Sequence, residues 1–178
     1  IIVGPGKEFS FNENVGNIDA SSGFVSGLVI KGDKLVPEYG GGICQVSTTL
    51  FRSAIEAGMD ITERRSHSLP VSYYDPQGYD STIYTGVVDL RFINNTPSYI
   101  LIQPVVQGTS IAFEIYGKDD GRDVTVARPV AYGHTESGDF KTVFTRTTID
   151  SSGNEEVDKF YSSYRSPAKF EILRNPLE

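Results

Sequence analysis

Most of the chain is written in short runs of alternating apolar and polar residues, parted by clusters of Gly, Pro, Asn and Asp. That period of two predicts half-buried strands joined by turns. "GPGKEFSFNENVG" reads as a Gly/Pro turn, a short aromatic strand through Phe9 and Phe11, and an Asn/Gly turn. A strand about Leu28–Ile30, a turn over "KGDK" and a second short strand ending at Pro37 make a hairpin. Later strands are predicted over Ile61–Arg65, Ile83–Phe92, Tyr99–Val106 and Ile111–Tyr116, with the turns "NNTP" and "QGTS" dividing the last three. The tail supplies another hairpin, "KTVFTRTTID" and "EEVDKFYSSYRSP" around the turn "SSGN".

One stretch departs from this rhythm. Ile43, Val46, Leu50, Ala54 and Ile55 recur at offsets 0, 3, 7, 11 and 12, the stripe of an amphipathic helix. The spacing predicts a helix over Ile43 to Ala57, with Gly58 as its stop. It is the one convincing helix. The expected fold is α+β: mostly antiparallel β, with one principal helix packed on the sheet and Cys44 at its N-terminus. A soft boundary falls at "GKDDGRD", Gly117 to Asp123.

Composition narrows the function classes. A chain of 178 residues buries roughly 70% of its unfolded surface and needs no disulfide or metal to fold. Its net charge is −7 and no Lys/Arg cluster stands out, which argues against nucleic acid as a partner. A single cysteine excludes an internal disulfide. No apolar run approaches the ~20 residues of a membrane span, and no leader is visible. This segment is expected to make no membrane contact itself; an anchor would lie upstream.

That cysteine sits in "YGGGICQVSTTLF", between three glycines and the helix. In the first turn of a helix, unpaired N–H groups and the dipole favour a thiolate. A free thiol of pKa ≈ 8.5 falls to roughly 3.5–7.5 in such a place or beside a protonated imidazole. Gly40, Gly41 and Gly42 let a substrate approach the backbone, and N–H groups from Gly42 to Gln45 are candidate oxyanion donors. The competing reading is a small buried hydrophobe beside a glycine turn.

A nucleophilic cysteine needs a base. His67 ends the strand that returns from the helix. Fifteen helical residues span about 22 Å and seven strand residues about 23 Å, so His67 can lie level with Cys44. His134 lies in a turn and reads as a solvated loop residue. Asp80, Asp89 or a backbone carbonyl are the candidates to orient the imidazole. Asp89, amid apolar residues with Arg91 two positions on, reads better as a structural ion pair. Arg64 and Arg65 are candidates to meet a substrate carboxylate, or are structural. Tyr39, Tyr73, Tyr74 and Tyr79 are candidate cleft aromatics. One Cys and two His lack the paired spacing of a zinc site, so neither metal nor cofactor is expected. "GPGKEFS" does not make a phosphate loop.

The blocks "FSFNENVG", "GGGICQVSTTLFRSAIEAG", "ERRSHS", "GYDSTIY" and "DLRFINNT", in this order, resemble the VanW domain family of bacterial envelope proteins. The resemblance covers roughly Gly4 to Tyr116, and the later part resembles the strand-rich extension that often follows. It implies a VanW-like catalytic domain over 1–116 and a β-rich extension over 117–178 packed on it. Some family members are L,D-transpeptidases that cross-link peptidoglycan stem peptides through a cysteine. Carried over, this makes Cys44 the nucleophile and His67 the base. It implies a place at the extracellular face of a Gram-positive envelope, with an anchored full-length protein working in cell-wall biogenesis. The family block usually reads small-Ala-Thr after the Asp, where this chain has Asp80-Ser81-Thr82, a mild departure. L,D-carboxypeptidase activity, a papain-like cell-wall peptidase and a non-catalytic wall-binding module remain alternatives.

Overall fold

The computed structural model describes residues 1–31 and 34–169; Gly32 and Asp33 of the expected "KGDK" turn lie outside the described residues. In chain order the elements are β1 (Ile2–Val3), β2 (Glu8–Ser10), α1 (Phe11–Val15), β3 (Ser26–Lys31), β4 (Lys34–Tyr39), α2 (Ile43–Glu56) and β5 (Asp60–Glu63). They continue with β6 (Arg91–Ile93), β7 (Ile100–Gln107), β8 (Ser110–Tyr116), β9 (Asp123–Val126), β10 (Val130–Tyr132), β11 (Phe140–Ile149) and β12 (Glu155–Tyr164). Every pairing between these strands is antiparallel. The sheets are β1-β7-β8, β2-β6-β5, the hairpin β3-β4, and β10-β11-β12 with β9 also on β11. The fold is α+β, mostly antiparallel, with one main helix.

Helix α2 organises the core. Its expected stripe is the buried one: Leu50, Ala54 and Ile55 are sealed, and Phe51 joins them at 0% exposure. The helix ends where Gly58 takes a positive φ of 71°, and the Met59 N–H bonds back to the Ala54 carbonyl at 3.0 Å. That left-handed wrap is a glycine stop. The Phe51 ring meets Phe144 of β11 and Phe160 of β12 edge-on, with centroids 6.5 and 6.1 Å away. On another side α2 packs against β8, where the Ser53 hydroxyl bonds the Phe113 carbonyl at 3.0 Å. So the C-terminal sheet and the preceding part share apolar contacts through one helix.

Three local expectations are corrected. Ile83–Phe92 is not one strand. Val88 N–H bonds to Tyr84 O at 2.8 Å, closing a turn in which Gly86 has φ 77°, and only Arg91–Ile93 joins a sheet. Phe11 does not extend a strand but opens α1. Ser10 caps that helix by accepting from Glu13 N–H at 3.1 Å, the Ser-x-x-Glu spacing of a helix start. The chain therefore holds a second, short helix. Strand β5 stops at Glu63; beyond it Arg65 makes a single bridge to Thr82, with Thr82 N–H on Arg65 O at 2.8 Å. This bridge lays the segment after β5 beside residues 80–82.

Candidate functional site

The site grows from that bridge and from the start of α2. Gly40 and Gly42 have φ of 90° and 89°, a left-handed backbone that residues with a Cβ seldom adopt. They turn the chain from β4 into α2 and set Cys44 in the first helical turn. Gly41 has a different task. A Cβ there would lie 2.6 Å from the Cα of Gly27, so β3 packs directly on the glycine loop. The close approach expected of a substrate is made at Gly41 by the chain itself.

Within the first turn, Ile43 N–H bonds to Gly40 O at 3.0 Å and Gln45 N–H to Gly42 O at 2.9 Å. The backbone donor of Gln45 is therefore occupied, and its side chain is exposed. The Cys44 N–H makes no bond among the described residues.

The Cys44 sulfur is half-buried. It lies 3.4 Å from the Thr82 hydroxyl and 3.8 Å from the Ile83 carbonyl. Two further hydroxyls of α2 fix the facing segment. Ser47 and Thr48 donate to the Ser81 carbonyl at 2.6 and 3.1 Å, and Ser81 N–H returns to Thr48 Oγ1 at 3.0 Å. These buried polar groups satisfy one another and lock the register between helix and segment.

His67 is buried and held by Asp80. Its own N–H and its Nδ1 both bond to Asp80 Oδ2, at 2.6 and 2.7 Å. The ring stacks on Tyr74 with centroids 4.5 Å apart. The Asp80 carboxylate is itself sealed. Tyr164 of β12 donates its hydroxyl to Oδ1, and Arg64 reaches that oxygen at 3.5 Å. A buried carboxylate is tolerated when paired and hydrogen-bonded in this way.

The electrostatics follow from these contacts. Burial pushes the Cys44 thiol up, but the neighbouring His67 imidazole, the Ile83 backbone and the Thr82 hydroxyl outweigh it and hold the thiol below its ordinary value. Burial pushes His67 down, while the hydrogen bond to Asp80 and the neighbouring Cys44 raise it to about 9. Burial pushes Asp80 up, and the bond to His67 and the charge of Arg64 hold it below the usual carboxylate range. Burial, then Asp80, raise Tyr164, so its hydroxyl keeps the proton it donates. Together these shifts move the balance toward a thiolate–imidazolium pair backed by a carboxylate.

The pair opens into a cleft of about 550 Å³. Tyr39, Tyr73, Tyr74 and Tyr84 line it, with Gly40 and Gly42 at its floor near Cys44. Of the expected aromatics, Tyr79 is elsewhere: its hydroxyl bonds the Ala127 carbonyl and its ring packs edge-on against Phe144 at 4.6 Å. Arg64 is likewise spent on structure. Its donors go to the carbonyls of Gly78 and Asp80 at 2.8 and 2.7 Å and to Ser162 Oγ at 2.9 Å, and its face covers Phe51. Asp89 accepts from Ser10 and Asn12 at 2.6 and 2.9 Å and pairs with Arg91 at 3.0 Å, far from the imidazole. His134 stacks on Phe140 at the surface. Arg65 is exposed beside the His67 segment. Thr82 and Tyr164 were not singled out in the sequence; "GYDSTIY" and "FYSSYRSP" contain them without a spacing that points to Cys44. No group of His, Cys, Asp or Glu side chains among the described residues is arranged to hold a metal.

A family model described as VanW like protein matches residues 1–116. The chain belongs to this VanW-like family. Within it, YoaR of Bacillus subtilis, described as an uncharacterized protein, is 40% identical over 118 residues, which is 66% of this chain and 39% of YoaR. The vancomycin B-type resistance protein VanW of Enterococcus faecalis is 33% identical over 100 residues, 54% of this chain and 36% of that protein. The chain thus spans well under half the length of these relatives. No solved structure matches it. Cys44, His67, Asp80 and Thr82 all fall inside the VanW-like match, whereas Tyr164 falls outside it.

Proposed function

We propose that this VanW-like chain is a cysteine acyltransferase of the bacterial cell envelope, an L,D-transpeptidase that forms 3–3 cross-links between peptidoglycan stems. The observation that carries the reading is a half-buried Cys44 that shares an open cleft with His67, whose ring is held from behind by the sealed Asp80 carboxylate. The Cys44 thiolate attacks the amide carbonyl between the diamino acid and the terminal D-Ala of a tetrapeptide stem. The developing oxyanion meets the free Cys44 N–H, an interaction typically worth about 10²-fold or more in rate. His67 gives its proton to the leaving D-Ala amine, the C–N bond breaks and a thioester remains. The side-chain amine of a second stem then attacks that thioester. His67 takes the amine proton, an amide forms and the thiolate leaves, which restores the starting pair. With water as acceptor the same steps give an L,D-carboxypeptidase.

Asp80 keeps the imidazole in one orientation and supports its charge, while Tyr164 and Arg64 hold Asp80 in turn. Such chemistry belongs at the outer face of the membrane, where stems are exposed. No helix among the described residues is long and apolar enough to cross a membrane, and the anchor is assigned to the rest of the protein. The reading is tested with a disaccharide-tetrapeptide and mass spectrometry of the products. Cross-linked dimer or D-Ala release that vanishes in Cys44→Ala supports it. A cut within the stem would indicate a peptidase instead. Binding without any product, unchanged in Cys44→Ala, would indicate a wall-binding module built on the exposed tyrosines.

A further inference from the structure

A second groove, of about 810 Å³, adjoins the tyrosine-lined cleft at His67 and Thr82. His67 and Thr82 line both, so the two meet at the proton-carrying residue. The groove runs between the segment Arg64 to Ser68 and the strands β11 and β12. Its character is opposite to that of the whole chain. In a protein of net charge −7, Arg65, Lys141 and Arg165 gather on this one surface and are exposed. None of the three side chains makes an ion pair or side-chain hydrogen bond among the described residues, whereas Arg64 beside them is fully engaged with Asp80, Gly78 and Ser162. The acid in the groove, Asp139, is already occupied: it accepts from Ser166 N–H at 2.8 Å and from the Ser137 hydroxyl at 3.3 Å.

The cations are placed by the fold. Lys141 stands opposite Ser163 in the β11–β12 register. Arg165 follows directly after β12, and its N–H bonds the Ser68 carbonyl at 2.7 Å, which ties it to the segment carrying Arg65. Unpaired guanidinium and ammonium groups converging on a polar groove suit carboxylates, with arginine offering the paired donors of its fork.

We infer that this groove is the acceptor subsite and that it binds an acidic peptide, the carboxylate-bearing second stem, through Arg65, Lys141 and Arg165. The inference rests on the acyltransferase reading for its role and on charge complementarity for its ligand. A transfer reaction needs two peptides. The tyrosine-lined cleft serves the acyl donor at Cys44. The second groove delivers an amine to His67, the group that must remove its proton as the new C–N bond forms and the C–S bond breaks. Two of its three cations come from the part of the chain after residue 116, so that part selects the acceptor.

The test uses Cys44→Ala protein, which cannot turn over, and two probes: a disaccharide-tetrapeptide with free stem carboxylates and the same molecule with those carboxylates amidated. Binding is measured by titration calorimetry at low and raised salt. The expected result is preference for the free acid, weakened about tenfold or more by the added changes Lys141→Glu and Arg165→Glu and by salt. In protein with Cys44 intact, the same pair of changes is expected to leave alkylation of Cys44 and D-Ala release in place and to shift the products from cross-link to hydrolysed stem. Equal binding of both probes, or binding indifferent to the charge reversal, overturns the inference. Charge-dependent binding with no product from the intact protein would instead overturn the acyltransferase reading and leave the acidic-peptide site standing.

Discussion

At the residue scale, the account turns on where two protons sit. A thiol held below its ordinary value is ionised above that lowered pKa and loses its charge as pH falls through it. An imidazole raised to about 9 keeps its proton below that value and loses it as pH rises. The ion pair therefore occupies the window between the two. Iodoacetamide should alkylate Cys44 faster at neutral pH than it alkylates an ordinary thiol of pKa ≈ 8.5, with the rise in rate displaced to lower pH. In His67→Ala the profile should return to that ordinary rise. Asp80→Asn removes the carboxylate that raises His67, so the thiolate loses part of its imidazolium support; the rise should move back to higher pH and neutral reactivity should fall. Tyr164→Phe should act more mildly. Without the phenol, Asp80 is a stronger but less firmly oriented partner. The alkaline limb should then move to higher pH while turnover drops roughly tenfold, the lower end of what positioned acid–base groups contribute. A purely packing role for Tyr164 would leave the pH profile where it is.

At the element scale, the helix and the glycine loop are the parts most sensitive to change. Phe51→Ala empties the position where α2 meets Phe144 and Phe160 and should cost about 3–5 kcal/mol, read as a lowered denaturant midpoint. Gly41→Val should disturb the site more than its size suggests. Even the first carbon of its side chain would collide with the backbone of Gly27, so β3 must shift and the start of α2 with it. Slower Cys44 alkylation with α2 helicity retained is the expected signature; unchanged alkylation would show that the hairpin does not set the cysteine.

The helix was legible because its period is local: five apolar residues and a terminal glycine define Ile43–Glu56 without any tertiary information. His67 was legible because a helix and a returning segment of equal length bring its position level with Cys44. Of the two downstream acids, Asp89 was legible as a structural group from Arg91 two positions on, and the fold pairs Asp89 with Arg91 at 3.0 Å. What separates the two acids is the Arg65–Thr82 bridge, which turns Asp80 inward, and the start of α1, which claims Asp89. Gly86 ended the expected Ile83–Phe92 strand through a positive φ that periodicity does not register.

At the scale of the whole molecule, the site is assembled across both ends of the chain. Tyr164 and Asp80 are 84 residues apart, and Arg64 reaches Ser162 across 98, so no short-range pattern announces either contact. The family match ends at residue 116, yet β11 and β12 cap Phe51 and hold Asp80. Ending the chain at 116 should therefore expose the apolar face of α2 and loosen the carboxylate behind His67. The expected outcome is poor folding, or a folded remainder whose Cys44 has the pH profile of an ordinary thiol. A remainder whose Cys44 keeps the displaced profile would mean that Asp80 orients His67 without help from β12.

The central claim, that Cys44 and His67 form a working acyl-transfer pair, is tested most directly by trapping the acyl enzyme. The intact chain is mixed with a disaccharide-tetrapeptide, quenched in acid and weighed by mass spectrometry beside Cys44→Ala. The account predicts an adduct equal to the stem donor minus D-Ala on the intact chain, absent from the variant and cleared when a second stem is added. An intact chain that stays unmodified while its Cys44 alkylates rapidly at neutral pH would contradict it.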